Sequence, residues 1–147
     1  MRLDCLTPMA PAPDPLLSLA DSAEVRAYLS QPNTGVYVVR PDGHIVWASP
    51  SMGEVVGRAP EELVGRNGWD VFVPREVLPQ VAEFRARLSE ADGVLWMPLK
   101  MPGDGRRWYR VDTILRRGGI ICAFHPEDDP AQAYVHSDLR PRRSGVA

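Results

Sequence analysis

Residues 36–48 read VYVVRPDGHIVWA, two apolar runs rich in β-branched residues on either side of a Pro-Asp-Gly turn. Such a turn between two β-rich runs is a strong indication of a β-hairpin. Three more segments have strand patterns, at residues 94–101, 107–115 and 119–124: the first two alternate apolar and polar residues, and the third is apolar throughout. The sequence therefore predicts five strands.

Helical patterns fill the rest of the folded body. Residues 49–72 form short pieces interrupted by glycines, and residues 78–90 predict a longer helix with one apolar face. Residues 16–30 carry an apolar stripe after an Asp-Pro start, which predicts one broken helix or two. The order indicates an α+β fold, a five-stranded antiparallel sheet with helices on one face and an N-terminal helical cap.

The composition is that of one cytoplasmic domain. The chain has 147 residues, a net charge of -2 and 44% apolar residues. Its balance of charge lacks the basic excess that nucleic-acid binding requires, and no apolar run reaches the roughly 20 residues of a membrane span. We expect a flexible Pro-rich leader at 1–15, the cap helix at 16–30, the main domain at 31–125 and a polar tail at 126–147.

Four stretches together resemble a PAS domain, the sensor module of many signalling proteins. They are residues 35–39, 41–51, 58–66 and 103–109, and their order and spacing carry the resemblance. It assigns the main domain at 31–125 to the PAS fold and implies a sheet cupped around a pocket, which such domains use for haem, flavin, a small metabolite or nothing. It also implies dimerisation, often through an N-terminal helix on the outer face of the sheet.

The resemblance implies a sensory domain, which in this family usually passes its signal into an attached output domain. Because residues 125–147 do not have the pattern of such a continuation, we expect a stand-alone sensory or adaptor domain of bacterial signal transduction; the alternative is a piece of a longer protein. The stand-alone domain would act as a homodimer and through contacts with an unidentified signalling protein in trans. The alternative function is a redox or gas sensor that carries haem or flavin.

The sequence requires no cofactor and disfavours both haem and flavin. Light-sensing PAS domains of the LOV type carry Gly-X-Asn-Cys, whose thiol bonds the flavin; here residues 65–68 read GRNG, with Gly68 in the place of the cysteine. Haem PAS sensors usually ligate iron through a histidine on the long helix, and this one has none. Ligation by His44 or His125 with a methionine stays an alternative. No metal is expected, because the cysteines and histidines do not cluster.

Alternating strand residues and one helix face predict the lining of an internal pocket. The residues given by these patterns are Val81, Phe84, Leu95, Met97, Leu99, Tyr109, Val111 and Thr113, and the stretch matched to the LOV motif adds Asn67 and Trp69. Methionines adapt to a ligand's shape, and Tyr109 or Thr113 could orient a polar group, so a small apolar ligand is expected. The alternative is that these side chains fill the space themselves, as in most close-packed cores.

No residue set predicts an enzyme. His125 could pair with Asp112 or Cys122, but the sequence indicates neither a third orienting group nor an oxyanion loop. Cys122 lies within an apolar strand, where a thiol is inert.

The other face of the sheet predicts an interface. Alternation directs Trp96, Trp108 and Ile114 away from the helices, although an antiparallel sheet normally offers water a polar outer face. Two tryptophans there would form a patch that monomers rarely tolerate. The expected cover is the cap, folded back on its own sheet or exchanged with a second copy. Its candidate interface residues are Leu16, Leu17, Val25, Tyr28 and Leu29.

Overall fold

The computed structural model describes residues 15–88, 91–103 and 105–141. The predicted leader, apart from Pro15, and residues 142–147 of the predicted tail lie outside the described residues. The strands are β1 (Gly35–Val39), β2 (Ile45–Ala48), β3 (Ala91–Lys100), β4 (Arg106–Arg116), β5 (Gly119–Pro126) and β6 (His136–Pro141). The α-helices are α1 (Ala23–Leu29), α2 (Pro50–Val56), α3 (Pro60–Leu63), α4 (Gly68–Phe72) and α5 (Leu78–Ala86), and 3₁₀ helices span Pro15–Asp21, Arg75–Val77 and Pro130–Gln132.

The six strands form one antiparallel sheet in the order β2-β1-β5-β4-β3-β6. The α+β class and the antiparallel sheet predicted from the sequence are confirmed. The β4–β5 hairpin turns at Arg117 and Gly118, whose φ angles are 50° and 80°. Positive φ at both central residues is the geometry of a type I′ turn, which matches the twist of the two strands.

The sixth strand lies in the segment for which the sequence predicted only a polar tail, and that prediction is corrected here. β6 pairs with the first half of β3. Its sequence HSDLRP is mostly polar, and Leu139 packs at the edge of the core beside Phe84. Gly93 permits this approach, because a Cβ there would lie 2.6 Å from Cε1 of Phe84 and 2.8 Å from Cδ2 of Leu139. A single apolar residue is too weak a pattern to predict a strand.

The cap consists of two short pieces, one of the alternatives that the sequence allowed. The 3₁₀ helix ends before Ser22, which adopts an extended conformation and accepts a hydrogen bond from the Val25 N–H at the start of α1. An N-cap of this kind satisfies one of the free N–H groups of the helix.

The long helix is shorter than predicted. The sequence indicated residues 78–90, but α5 ends at Ala86. The Arg87 N–H donates to the Phe84 carbonyl at 3.1 Å, an i to i−3 bond that tightens the last turn and closes the helix.

Apolar layers lie on both faces of the sheet. The inner layer packs the sheet against α2 to α5, and the rings of Tyr37, Phe72 and Tyr109 all meet Phe124 with centroids 4.7 to 6.2 Å away. The outer layer packs part of the opposite face against the cap. The first layer surrounds the predicted pocket, and the second decides which part of the outer face stays uncovered.

Candidate functional site

An internal cavity of about 50 Å³ lies between the sheet and the helices. Eight of the ten residues that the sequence proposed as pocket lining surround it: Trp69, Val81, Phe84, Leu95, Met97, Leu99, Val111 and Thr113. Small-molecule sites generally measure roughly 300 to 1,000 Å³, so in this conformation the side chains fill most of the space themselves. The cavity can hold water or a group of a few atoms.

The remaining two pocket candidates, Tyr109 and Asn67, do not line this cavity. The Tyr109 hydroxyl donates to the Val55 carbonyl at 2.6 Å, so its polar end is occupied by α2. The Asn67 side chain accepts from the Trp69 N–H at 2.8 Å and donates to the Asp42 carbonyl, which joins the start of α4 to the β1–β2 turn. Both residues position elements of the wall, and neither offers a free group to a ligand there.

The thiol and the phenol at the cavity are held neutral. Burial raises the pKa of the Cys122 thiol to about 12, so the thiol stays protonated and is a poor nucleophile. Burial also raises the pKa of the Tyr37 phenol well above its usual range. Among the described residues that line the cavity, Arg85 carries the charge, and its guanidinium lies 5.1 Å from the centre of a Trp69 ring. The thiol and the phenol therefore offer an occupant uncharged groups, and Arg85 offers a positive one.

The histidines proposed as alternative haem ligands lie away from the cavity. His44 is exposed in the β1–β2 turn, where Nδ1 lies 3.0 Å from the Asp42 carboxylate. His125 lies at the end of β5, 3.2 Å from the Asp112 carboxylate. Within the described ranges, no group of three or more His, Cys, Asp or Glu side chains is arranged to hold a metal ion.

His125 also has a third partner that the sequence did not reveal. Its Nδ1 lies 3.1 Å from the Thr34 hydroxyl and its Nε2 lies 3.2 Å from Asp112 Oδ2, so the three side chains form a chain of hydrogen bonds. The edge of the Tyr28 ring contacts the same imidazole, with centroids 6.2 Å apart. Thr34 is only 2% exposed, and the contact between the Tyr28 and His125 rings joins the cap to β5.

The outer face of the sheet divides into two halves. In the covered half, the cap residues Leu19 and Val25 pack on β1, β5 and Ile114 of β4, with Leu16, Tyr28 and Trp47 at the margin. The open half is the outer side of β3, β4 and β6, and it carries Trp96 and Trp108, both partly exposed. Neither tryptophan belongs to the layer beneath the cap.

Aromatic rings extend the open half beyond the two tryptophans. Trp96 stacks on His136 of β6 with centroids 4.2 Å apart, and His136 in turn stacks on Tyr134 at 4.1 Å. Tyr134 is 55% exposed. The result is an apolar and aromatic surface at one end of the sheet.

The predicted interface residues are therefore distributed over both halves. Leu16, Val25, Tyr28 and Ile114 are brought together under the cap. Leu17 and Leu29 point outward and are 38% and 37% exposed. The cap does not cover the tryptophans as the sequence analysis expected, because it lies on β1, β2 and β5.

The fold and the internal cavity define the class of protein: a small α+β domain whose antiparallel sheet forms one wall of an enclosed core. The sequence matches the family described as PAS fold over residues 29–125. The chain therefore belongs to the PAS family, as the resemblance predicted. None of the described helices combines the length and the apolar character needed to cross a bilayer.

Solved structures of PAS and LOV domains share the fold. A light-oxygen-voltage domain studied with a flavin analogue has a TM-score of 0.63 and 19% identity, covering 78% of this chain and 91% of that one. A domain of a sensory box histidine kinase/response regulator from Geobacter sulfurreducens has a TM-score of 0.56 and 15% identity, covering 69% of this chain and 93% of that one. The PAS domain of the RpfR quorum-sensing receptor from Cronobacter turicensis, in complex with BDSF, has a TM-score of 0.56 and 16% identity, covering 67% of this chain and 97% of that one. No curated protein matches the sequence significantly.

Proposed function

We propose that this chain is a bacterial, cytoplasmic sensory adaptor that acts through protein contacts, and that the open half of its sheet is the contact surface of a homodimer. The observation that carries the proposal is a difference between the two candidate sites: the internal cavity has little room for a ligand, whereas the open half of the sheet exposes large aromatic side chains to a partner. The internal cavity has a volume of about 50 Å³. The open half offers the accessible parts of Trp96, Trp108 and Tyr134, large aromatic side chains of the kind that dominate the energetics of interfaces.

The open half has the composition of an interface core with a polar margin. Aromatic rings are enriched where proteins meet, and a large contiguous apolar surface is uncommon on a monomer. Arg110 and Asp112 flank the tryptophans and form a salt bridge with an N–O distance of 3.2 Å. Because both signs of charge are present, a second copy related by a two-fold axis meets complementary groups.

The family relationship supports the sensory part of the proposal. The similar structures include a domain of a sensor kinase and a PAS domain of a quorum-sensing receptor. By analogy, a signal would change how this chain associates, and an unidentified signalling protein would read the change in trans.

Regulation by a small apolar ligand is the second form of the same function. The quorum-sensing receptor domain is described in complex with BDSF. A small apolar ligand that regulated this chain would have to enlarge the cavity by moving adaptable side chains such as Met97. Native mass spectrometry of freshly purified protein separates the two forms: the bare mass supports a contact-only adaptor, and added mass supports a ligand. A haem or flavin band in the absorption spectrum would contradict both.

Sedimentation velocity of the full chain tests the homodimer. We expect the wild type to sediment as a dimer at tens of micromolar, and Trp108→Glu to sediment as a monomer with an unchanged near-UV circular dichroism spectrum apart from the lost tryptophan. Val64→Glu is the matched control, because Val64 is 48% exposed but lies outside the open half. A monomeric wild type, or a dimer in both variants, would contradict the proposal.

A further inference from the structure

A cleft on the helical side of the molecule is lined by basic side chains that the homodimer does not use. It has a volume of about 430 Å³ and lies between α2–α4 and the β3–β4 hairpin. Four cationic residues line it: Arg58, Arg66, Lys100 and Arg106. Asp70 is the acidic residue among the described lining, so positive charge accumulates there on a chain whose net charge is -2.

Two of the four cations are already engaged. Arg106 forms a salt bridge with Glu76 at 2.6 Å, and the Lys100 ammonium donates to the Asp70 main-chain carbonyl at 2.7 Å. The Lys100 contact leaves the Asp70 carboxylate free of that ammonium. Both cations are thereby fixed at the margin of the cleft.

The other two cations have no side-chain partner in the described part of the chain. Arg66 is exposed, and Arg58 is partly buried with its Nε atom out of contact with water and without a hydrogen-bond acceptor. Clustered guanidinium groups without carboxylate partners repel one another, and an anion placed between them relieves that repulsion. The two unpaired guanidinium groups in one cleft are therefore the observation that points to an anionic ligand.

We propose that this cleft binds a small, multiply charged oxyanion, a phosphate-bearing or polycarboxylate molecule. Guanidinium groups recognise both chemistries through paired N–H donors, and their charge is permanent. The volume fits a small molecule, and the acidic balance of the chain argues against a polymeric nucleic acid. Asp70 and Val71 of α4 face this cleft while Trp69 and Phe72 of the same helix line the internal cavity, so an occupant would contact the element that separates the two.

Isothermal titration calorimetry of the full chain tests the site with pyrophosphate and citrate at constant ionic strength. We expect saturable binding of at least one of them, weakened about tenfold or more in Arg66→Gln and in Arg58→Gln, since loss of one charged hydrogen bond corresponds to about that factor. Arg26→Gln is the control, because Arg26 is exposed on the cap and outside the cleft.

The titrations identify the chemistry of the ligand or overturn the proposed site. Binding of pyrophosphate alone identifies a phosphate ligand, and binding of citrate alone identifies a carboxylate ligand. The absence of saturable binding of either, or affinities that fall equally in Arg26→Gln, would overturn the proposal. Arg66 is exposed, so its variant leaves the fold intact even if Arg58→Gln destabilises the chain. The result is independent of the oligomeric state and so separates this inference from the homodimer.

Discussion

The covered and open halves of one sheet face differ in what protects their apolar residues. Both halves carry large side chains on the outer side of antiparallel strands, but the cap lies on one and leaves the other. Its α-helix has seven residues and is therefore about 10 Å long, roughly two strand spacings. The two pieces of the cap pack on β1, β2, β5 and Ile114 of β4. The chain therefore covers its own outer face only where this segment packs, and the aromatic remainder stays partly exposed.

The largest expected effect on the free energy of unfolding comes from the side of the cap that faces the sheet, compared with the side that faces outward. Leu19 is 2% exposed beneath the cap and Leu17 is 38% exposed on top of it. We expect Leu19→Ala to lower the free energy of unfolding by about 2 to 4 kcal/mol, because it removes buried apolar surface and leaves a cavity. Leu17→Ala is the matched control, with an expected change of less than about 0.5 kcal/mol. Urea denaturation measures both, and equal losses would mean that the cap does not rest on the sheet as described.

Two neighbouring residues of β4 sharpen the contrast between the faces. Tyr109 lies on the inner side with its hydroxyl bonded to the Val55 carbonyl, and Trp108 lies in the open half. Tyr109→Phe is expected to cost about 1 to 2 kcal/mol of unfolding free energy by leaving that buried carbonyl without its donor, and to leave association unchanged. Trp108→Ala should do the reverse, with dimer dissociation and a change in monomer stability below about 1 kcal/mol.

Denaturation and sedimentation on the same samples test this pair. A Tyr109→Phe protein that lost its dimer while staying folded would show that the faces are not independent. A Trp108→Ala monomer that unfolded as readily as a core variant would place that tryptophan in the folding core instead.

The smallest expected effect concerns the electrostatic contact that holds the cap. The Arg116 guanidinium lies 3.2 Å from both Glu24 of α1 and Asp92 of β3. The pKa of Glu24 is lowered from its ordinary value of 4.5, first by a hydrogen bond from its own backbone N–H at the helix start and then by Arg116. A carboxylate whose pKa is lower in the folded state stabilises the protein above its unfolded pKa, and that stabilisation is lost as the pH falls through the folded value.

Glu24→Gln should therefore be less stable than wild type at neutral pH, by at most about 1 kcal/mol because the pair is partly exposed, and the difference should vanish as the pH falls through the lowered pKa of Glu24. Thermal unfolding across this range measures the difference. Glu61→Gln on the exposed side of α3 is the control and should show no such convergence. A gap that stays constant with pH would rule out the charge of Glu24 as the cause.

Local patterns were sufficient to predict most of the fold. The Pro-Asp-Gly turn and the alternation on β3 and β4 predicted these strands and which side chains face the helices. They failed at β6, where Leu139 is the apolar residue that packs against Phe84 and the other strand residues carry no pattern. An edge strand needs little apolar surface, so its sequence resembles a tail.

The sites were less predictable because they depend on distances that no local pattern encodes. Thr34 meets His125 across 91 positions of sequence, which no spacing rule anticipates. The resemblance assigned Asn67 to the pocket, but the amide caps α4 instead. The alternation indicated that Leu95 and Met97 face inward, whereas the volume left between them is set by rotamers and packing.

Hydroxyl-radical footprinting of the full chain, read by mass spectrometry at single residues across a dilution series, tests the central claim most directly. If the open half is the surface on which the chain associates, Trp96 and Trp108 become protected as the concentration rises, while the labelling of Trp47 beside the cap stays constant. Labelling of Trp96 and Trp108 that does not change between the dilute and the concentrated protein would contradict it.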